Sequence, residues 1–180
     1  MLIEAATSAL LLVDVQERLA PAVERGEACV ARCRILLEAA ARLAVPTLAT
    51  EQYPEGLGPT VPELAALLGP GRTYAKRCFP ASAEPRIAAA LQELGRPQIV
   101  LCGMEAHVCV LQTALDLLRL GLRPIVVADA VASRRAQSRQ LALDRLRANG
   151  IEIVDSEMVL FEWLREAGTA DFKALIRLIK

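Results

Sequence analysis

The stretch Pro97-Gln98-Ile99-Val100-Leu101-Cys102-Gly103-Met104-Glu105-Ala106-His107-Val108-Cys109-Val110-Leu111-Gln112-Thr113-Ala114 decides how this chain folds. Ile99 to Cys102 is a short unbroken apolar run, as expected of a strand covered on both faces of a sheet. Gly103 breaks it. From His107 onward, Val108, Leu111, Ala114, Leu115 and Leu118 recur at helical spacing, which predicts a helix from near Cys109 to Gly121. Cys109 is therefore expected on the first turn of a helix, at the carboxyl end of a parallel strand. Unpaired backbone N–H groups and the helix dipole lower a thiol pKa at such a place, so a value below the usual ~8.5 is expected. Position alone balances a nucleophile against a small buried hydrophobe.

Outward from this stretch, strand and helix signals alternate. Ala9–Val13 is a buried apolar run ending at Asp14, and a helix from about Glu27 to Leu43 follows, with Val30, Cys33, Leu36, Leu37, Ala40 and Leu43 as its apolar stripe. Pro46–Thr50 reads as a strand, and Glu51–Pro59 as a loop too rich in proline and glycine for either element. Thr60 is expected to cap a short helix, with Glu63 completing a capping box. Arg72–Lys76 reads as a strand, and a helix from Ser82 or Ala83 to Leu94 carries Pro85 in its first turn. Pro124–Ala128 forms the next strand, ending at Asp129; Ala136–Asn149 is a helix closed by Gly150, and Ile151–Val154 is the sixth strand. Glu157–Arg165 and Asp171–Ile179 look helical. The expectation is one α/β domain over residues 1–180: a doubly wound parallel sheet of six strands, order 3-2-1-4-5-6, with helices on both faces.

Composition narrows the function classes. The 180 residues are 54% hydrophobic, and no apolar run is long enough to span a bilayer. Lys+Arg and Asp+Glu balance at 21 each, which offers no electrostatic case for nucleic acid or an anionic membrane. Arg134-Arg135 and Arg145/Arg147 read as decoration of solvated helix faces. The first residues lack the basic region of a signal peptide, so a cytoplasmic protein is expected. The five cysteines form no disulfide framework in such a setting, and Cys29 and Cys33, four apart on one helical face, read as core rather than half a metal site.

In a doubly wound sheet the site forms outside the carboxyl ends of the strands, where the strand order reverses. Asp14 ends strand one and Cys109 follows its neighbour, strand four; Lys76 ends strand three and can reach inward. Cys109 would be the nucleophile, Asp14 the proton acceptor and donor, and Lys76 the positive charge beside the thiolate. Backbone N–H groups of the Gly103–Cys109 turn, including those of Glu105 and Ala106, could stabilise an oxyanion.

Three segments carry a family resemblance: Leu11-Leu12-Val13-Asp14-Val15-Gln16, Lys76-Arg77-Cys78-Phe79 and Gly103-Met104-Glu105-Ala106-His107-Val108-Cys109-Val110. Together they resemble the signatures of the isochorismatase-like cysteine hydrolases. Thr50–Thr60 and Gln112–Leu117 are most similar to the isochorismatase domain-containing branch. The resemblance covers nearly the whole chain and implies a catalytic triad of Asp14, Lys76 and Cys109, with a non-proline cis peptide between Met104 and Glu105. It also implies a homo-oligomer, at least a dimer, in keeping with a mean hydropathy of +0.34.

Departures from the family pattern matter as well. Metal-binding members place an Asp-x-His pair and a further histidine between the second and third strands; here that segment holds Glu51, Gln52, Tyr53 and Glu55, so no metal and no cofactor are expected. True isochorismatases cleave a vinyl ether and do not need the cysteine. His107, the one histidine, is set aside as a base because on a turn its ring is expected to point away from Cys109. Gln16, Gln52, Tyr53, Phe79, Glu105 and Ala106 are the candidates for binding substrate: Gln52 could hydrogen-bond an amide and Tyr53 could stack on a flat ring. The favoured function is metal-free hydrolysis of a small amide or related C–N bond through a thioester. The alternatives are a non-catalytic or regulatory binding protein of the same fold, a vinyl-ether hydrolase, and, more weakly, a thiol-oxidation sensor.

Overall fold

The computed structural model describes residues 1–179. Strands β1 (Ser8–Val13), β2 (Thr47–Gln52), β3 (Thr73–Lys76), β4 (Gln98–Met104), β5 (Arg123–Ala132) and β6 (Glu152–Val154) form one sheet in the order β3-β2-β1-β4-β5-β6. Every pairing is parallel. β1 is central and wholly buried, which explains its unbroken Ala-Leu-Leu-Leu-Val run: both faces are covered, so alternation is not required. Each fully buried leucine there contributes about 1.5–3 kcal/mol of transfer free energy.

Side-chain alternation divides the core into two layers. Leu10 and Leu12 join Val100, Cys102 and Met104 on one face, beneath α1 (Gly26–Arg42), α7 (Ser156–Leu164) and α8 (Ala170–Leu175). Ala9, Leu11 and Val13 join Ile99 and Leu101 on the other, beneath α4 (Pro85–Leu94), α5 (Leu111–Arg119) and α6 (Ala136–Ala148). Cys29, Cys33 and Cys102 are buried in the first layer, where Cys29 Sγ lies 3.2 Å from the Ala130 carbonyl. Their neighbouring thiols and burial hold Cys33 well above the usual thiol pKa.

Local differences from the sequence expectation cluster around the site. The Glu51–Pro59 loop contains one helical turn, α2 (Pro54–Leu57), started by Pro54, and β2 runs on to Gln52. The short helix α3 (Pro62–Ala65) has no capping box: the Thr60 hydroxyl and N–H both donate to Glu51 Oε1, at 2.8 and 2.7 Å. Thr60 instead forms a bridge with Gln16, because the loop must fold back over the end of β1. The turn bearing Cys109 is π-helical over Ala106–Val110 before α5 begins. β5 continues past Asp129 to Ala132 with a bulge: between Leu101 opposite Val126 and Gly103 opposite Val131, β5 advances five residues while β4 advances two. No helix among the described residues is long and apolar enough to cross a membrane.

Candidate active site

The carboxyl ends of β1, β2, β3 and β4 meet at one point. Val13 lies opposite Thr50 of β2 and Gly103 of β4. Gly103 sits at φ +120°, and a Cβ there would fall 2.0 Å from the Val13 carbonyl oxygen; only glycine lets the strands close so tightly. The next residue of β1, Asp14, takes the left-handed conformation at φ +51°. Such a backbone costs of order 1 kcal/mol for a non-glycine residue and clusters at functional sites. On the other side, the Met104–Glu105 peptide is cis and leads into the Cys109 turn.

Asp14 and Lys76 form an ion pair, Oδ2 to Nζ 2.8 Å, with both side chains excluded from solvent. Thr50 Oγ1 donates to Asp14 Oδ1 at 2.6 Å, while Oδ2 accepts no directional hydrogen bond beyond its ionic contact. Lys76 Nζ donates to Gln52 Oε1 at 2.6 Å and to the carbonyls of Phe79 and Cys78 at 3.1 and 3.2 Å. Its donors are thus fully engaged by protein oxygens. A buried pair of this kind is tolerated only with such additional bonds.

Cys109 is buried beside this pair, its Sγ 4.0 Å from Gln52 Oε1. Burial, then the Asp14 charge, push its thiol up to about 12, against a smaller opposing pull from Lys76. This corrects the expectation of a value below ~8.5. The turn is π-helical and water is excluded, so desolvation and a carboxylate outweigh the dipole and the lysine. A thiol so placed is held in its protonated form near neutral pH.

The remaining candidates divide by what holds them. Gln16 is fully buried and clamps the end of β2: its Nε2 donates to the carbonyls of Gln52 and Gly58, at 3.0 and 2.7 Å, and its Oε1 accepts from Gln52 N–H at 2.8 Å. The Gln52 amide is engaged at both ends, since Nε2 donates to the Arg77 carbonyl at 2.8 Å. Tyr53 and Phe79 are 46% and 51% exposed at the rim, and the Arg77 guanidinium lies over the Tyr53 ring at 4.9 Å. Ala106 is buried at the start of the Cys109 turn.

Glu105 is buried and gripped by Arg134, whose Nη2 and Nε donate at 2.6 and 3.0 Å and whose backbone N–H donates at 2.8 Å. Burial pushes the Glu105 carboxyl up, but the Arg134 bonds outweigh it and the group lies below its usual value. Arg134 thus precedes α6 rather than decorating a helix face, and although solvent-exposed it is tied to Glu105. The His107 ring is 3.0 Å from Ser133 Oγ.

Thr50 and Arg134 escaped the sequence reading. Thr50 ends the expected second strand opposite Val13, so strand register could have found it. Arg134 could not be found, because its partner lies across the β4–β5 bulge. Among the described residues, no group of three or more His, Cys, Asp or Glu side chains is arranged to hold a metal ion. A groove of about 750 Å3 lies between α1 and α3, lined by Val30, Arg34, Val61 and Leu67, and contains none of Asp14, Lys76 and Cys109.

Comparison with known proteins places this geometry. The isochorismatase domain model matches residues 8–158. Isochorismatase domain-containing protein 2 of Bos taurus is 44% identical over 97% of this chain and 83% of its own length. Isochorismatase domain-containing protein 1 of Danio rerio is 40% identical over 97% of this chain and 62% of its own. Among solved structures, the MAR1 ribonuclease of Caenorhabditis elegans superposes with a TM-score of 0.92 at 36% identity, covering 99% of this chain and 92% of that one. The Escherichia coli YcaC gene product, described as an octameric hydrolase of unknown specificity, gives 0.93 at 26%, covering 99% and 90%. The chain belongs to the isochorismatase family.

Proposed function

We propose that this chain is a cysteine hydrolase of small, uncharged amides or related C–N compounds, its domain spanning residues 1–180, acting without a metal. The observation that carries the reading is the meeting of Cys109 with a water-excluded Asp14–Lys76 pair. The Cys109 sulfur attacks the substrate carbonyl carbon while its proton passes to Asp14. N–H groups at the start of the Ala106 turn stabilise the oxyanion. Collapse breaks the C–N bond, Asp14 returns the proton to the departing nitrogen, and a thioester remains. Water then attacks the thioester, gives a proton to Asp14, and the sulfur leaves with that proton as the acid is released. The sum is amide plus water giving carboxylic acid plus ammonia or amine.

Charge supports an uncharged substrate over the dicarboxylate vinyl ether of true isochorismatases. Lys76 is engaged by Asp14, Gln52 and two carbonyls, and Arg134 by Glu105. Lys76, with no exposed side-chain surface, has no free face for a substrate carboxylate, and the exposed Arg134 is already paired with Glu105. A relative bears the name ribonuclease, but a zero net charge and a committed lysine give little attraction to a polyanion. The octameric relative supports a homo-oligomer here as well.

The test is a panel of small amides, ureides and vinyl ethers offered to the wild type and to Cys109→Ala, with intact-mass detection of an acyl adduct. Turnover with a mass increment on Cys109, lost in the variant, is expected. Undiminished turnover by Cys109→Ala would remove the nucleophile. Absence of turnover and adduct across the panel would favour a non-catalytic binding role.

A further inference from the structure

We infer that Gln52 is a positioning residue for Lys76, holding the ammonium between Asp14 and the Cys109 thiol with a neutral acceptor. The inference rests on the triad reading above and adds a fourth side chain to it. Gln52 and Lys76 are direct cross-strand partners in the β2–β3 register, so their side chains leave the sheet at the same level and on the same side. Gln52 Oε1 is 2.6 Å from Lys76 Nζ and 4.0 Å from Cys109 Sγ. One atom thus faces both the charge and the nucleophile.

The orientation of that amide is fixed from three sides. Nε2 donates to the Arg77 carbonyl, which directs Oε1 at the lysine. The Gln52 backbone is held at both its N–H and its C=O by the buried Gln16. A side chain committed in this way is not free to bind a substrate amide, the role that its place in the sequence invites. Its service is to Lys76, whose charge favours the ionised sulfur that forms during attack.

Neutrality is the reason for glutamine at this position. The charged groups facing the thiol are Asp14 and Lys76, which balance. Glu105 is answered by Arg134, and His107 is bonded to Ser133. A carboxylate in place of the Gln52 amide would still accept from Lys76 but would add a second negative charge beside the sulfur, disfavouring its ionisation.

The experiment is the rate of Cys109 alkylation by iodoacetamide as a function of pH, resolved by peptide mass spectrometry so that the exposed Cys78 is read separately. Gln52→Met keeps the length and bulk but removes the acceptor. It is expected to slow Cys109 alkylation at neutral pH roughly tenfold, the effect of raising a thiol pKa by about one unit. Gln52→Ala should do the same and Gln52→Glu at least as much, with Cys78 labelled at the wild-type rate in all three. If Gln52→Ala loses the fold, the two variants of similar size carry the comparison.

A wild-type profile in Gln52→Met, or slowing in Gln52→Ala alone, would reduce Gln52 to packing and overturn the inference. Lys76→Ala separates this failure from that of the triad. Slowing in Lys76→Ala with unchanged Gln52 variants sinks only the Gln52 role. Unchanged alkylation in Lys76→Ala removes Lys76 from the site and sinks both.

Discussion

Asp14 and Cys109 sit side by side in unlike surroundings: the carboxylate is paired with Lys76, whereas the thiol is held neutral by burial and by that carboxylate. Stability inherits the difference. A thiol raised to about 12 in the folded chain binds its proton more tightly than in the unfolded one, so its contribution is complete below pH ~9. That contribution fades as pH climbs toward the folded value. The stability advantage of wild type over Cys109→Ser should therefore shrink by roughly 1–2 kcal/mol between about pH 9 and 10.5. Urea melts of the two proteins at several pH values measure it, and a pH-independent difference would show that the thiol is not so perturbed. The meeting of Asp14 with Cys109 was legible in the sequence because β1 and β4 are neighbours in the expected order. The thiol's proton affinity was not, since it depends on how completely the turn excludes water. Gln52 stands out in the sequence as a candidate for a substrate amide; its reach toward Lys76 follows from a strand register that spacing alone does not supply.

At the level of elements, Gly103 controls how β4 approaches β1. Gly103→Ala would set a methyl against the Val13 carbonyl at a backbone angle that alanine avoids. The backbone itself would have to move, so a loss of at least about 3 kcal/mol is expected. For a chain of this size that corresponds to a drop of about 6–12 °C in Tm. Calorimetry showing a drop of under about 2 °C would mean that the strand ends yield easily, a small change by the same scale. Strands and long helices were legible because buried apolar runs and a 3.6-residue stripe are strong signals. The π-helical turn, the β5 bulge and the lost Thr60 cap were not. Each answers to a long-range contact: Thr60 turns to Glu51 and Gln16 because those groups await it across the loop.

At the scale of the molecule, apolar side chains remain on the outer surface. Leu118 and Leu120 at the end of α5 and Leu141 on α6 are solvent-exposed among the described residues. With an octameric relative of the same fold, self-association is expected, and light scattering at micromolar concentration should report at least a dimer. A monomer at the highest soluble concentration would contradict it. The water-excluded Asp14–Lys76 pair, described above for its chemistry, also bears on ionic strength. Counter-ions reach surface charges, but a pair with no accessible side-chain surface lies beyond their screening. The alkylation of Cys109 by the uncharged iodoacetamide should then proceed at nearly the same rate, within about twofold, in roughly 0.05 M and 1 M potassium chloride. A site whose charges met the solvent would slow or quicken with salt; this one is expected to be indifferent to it.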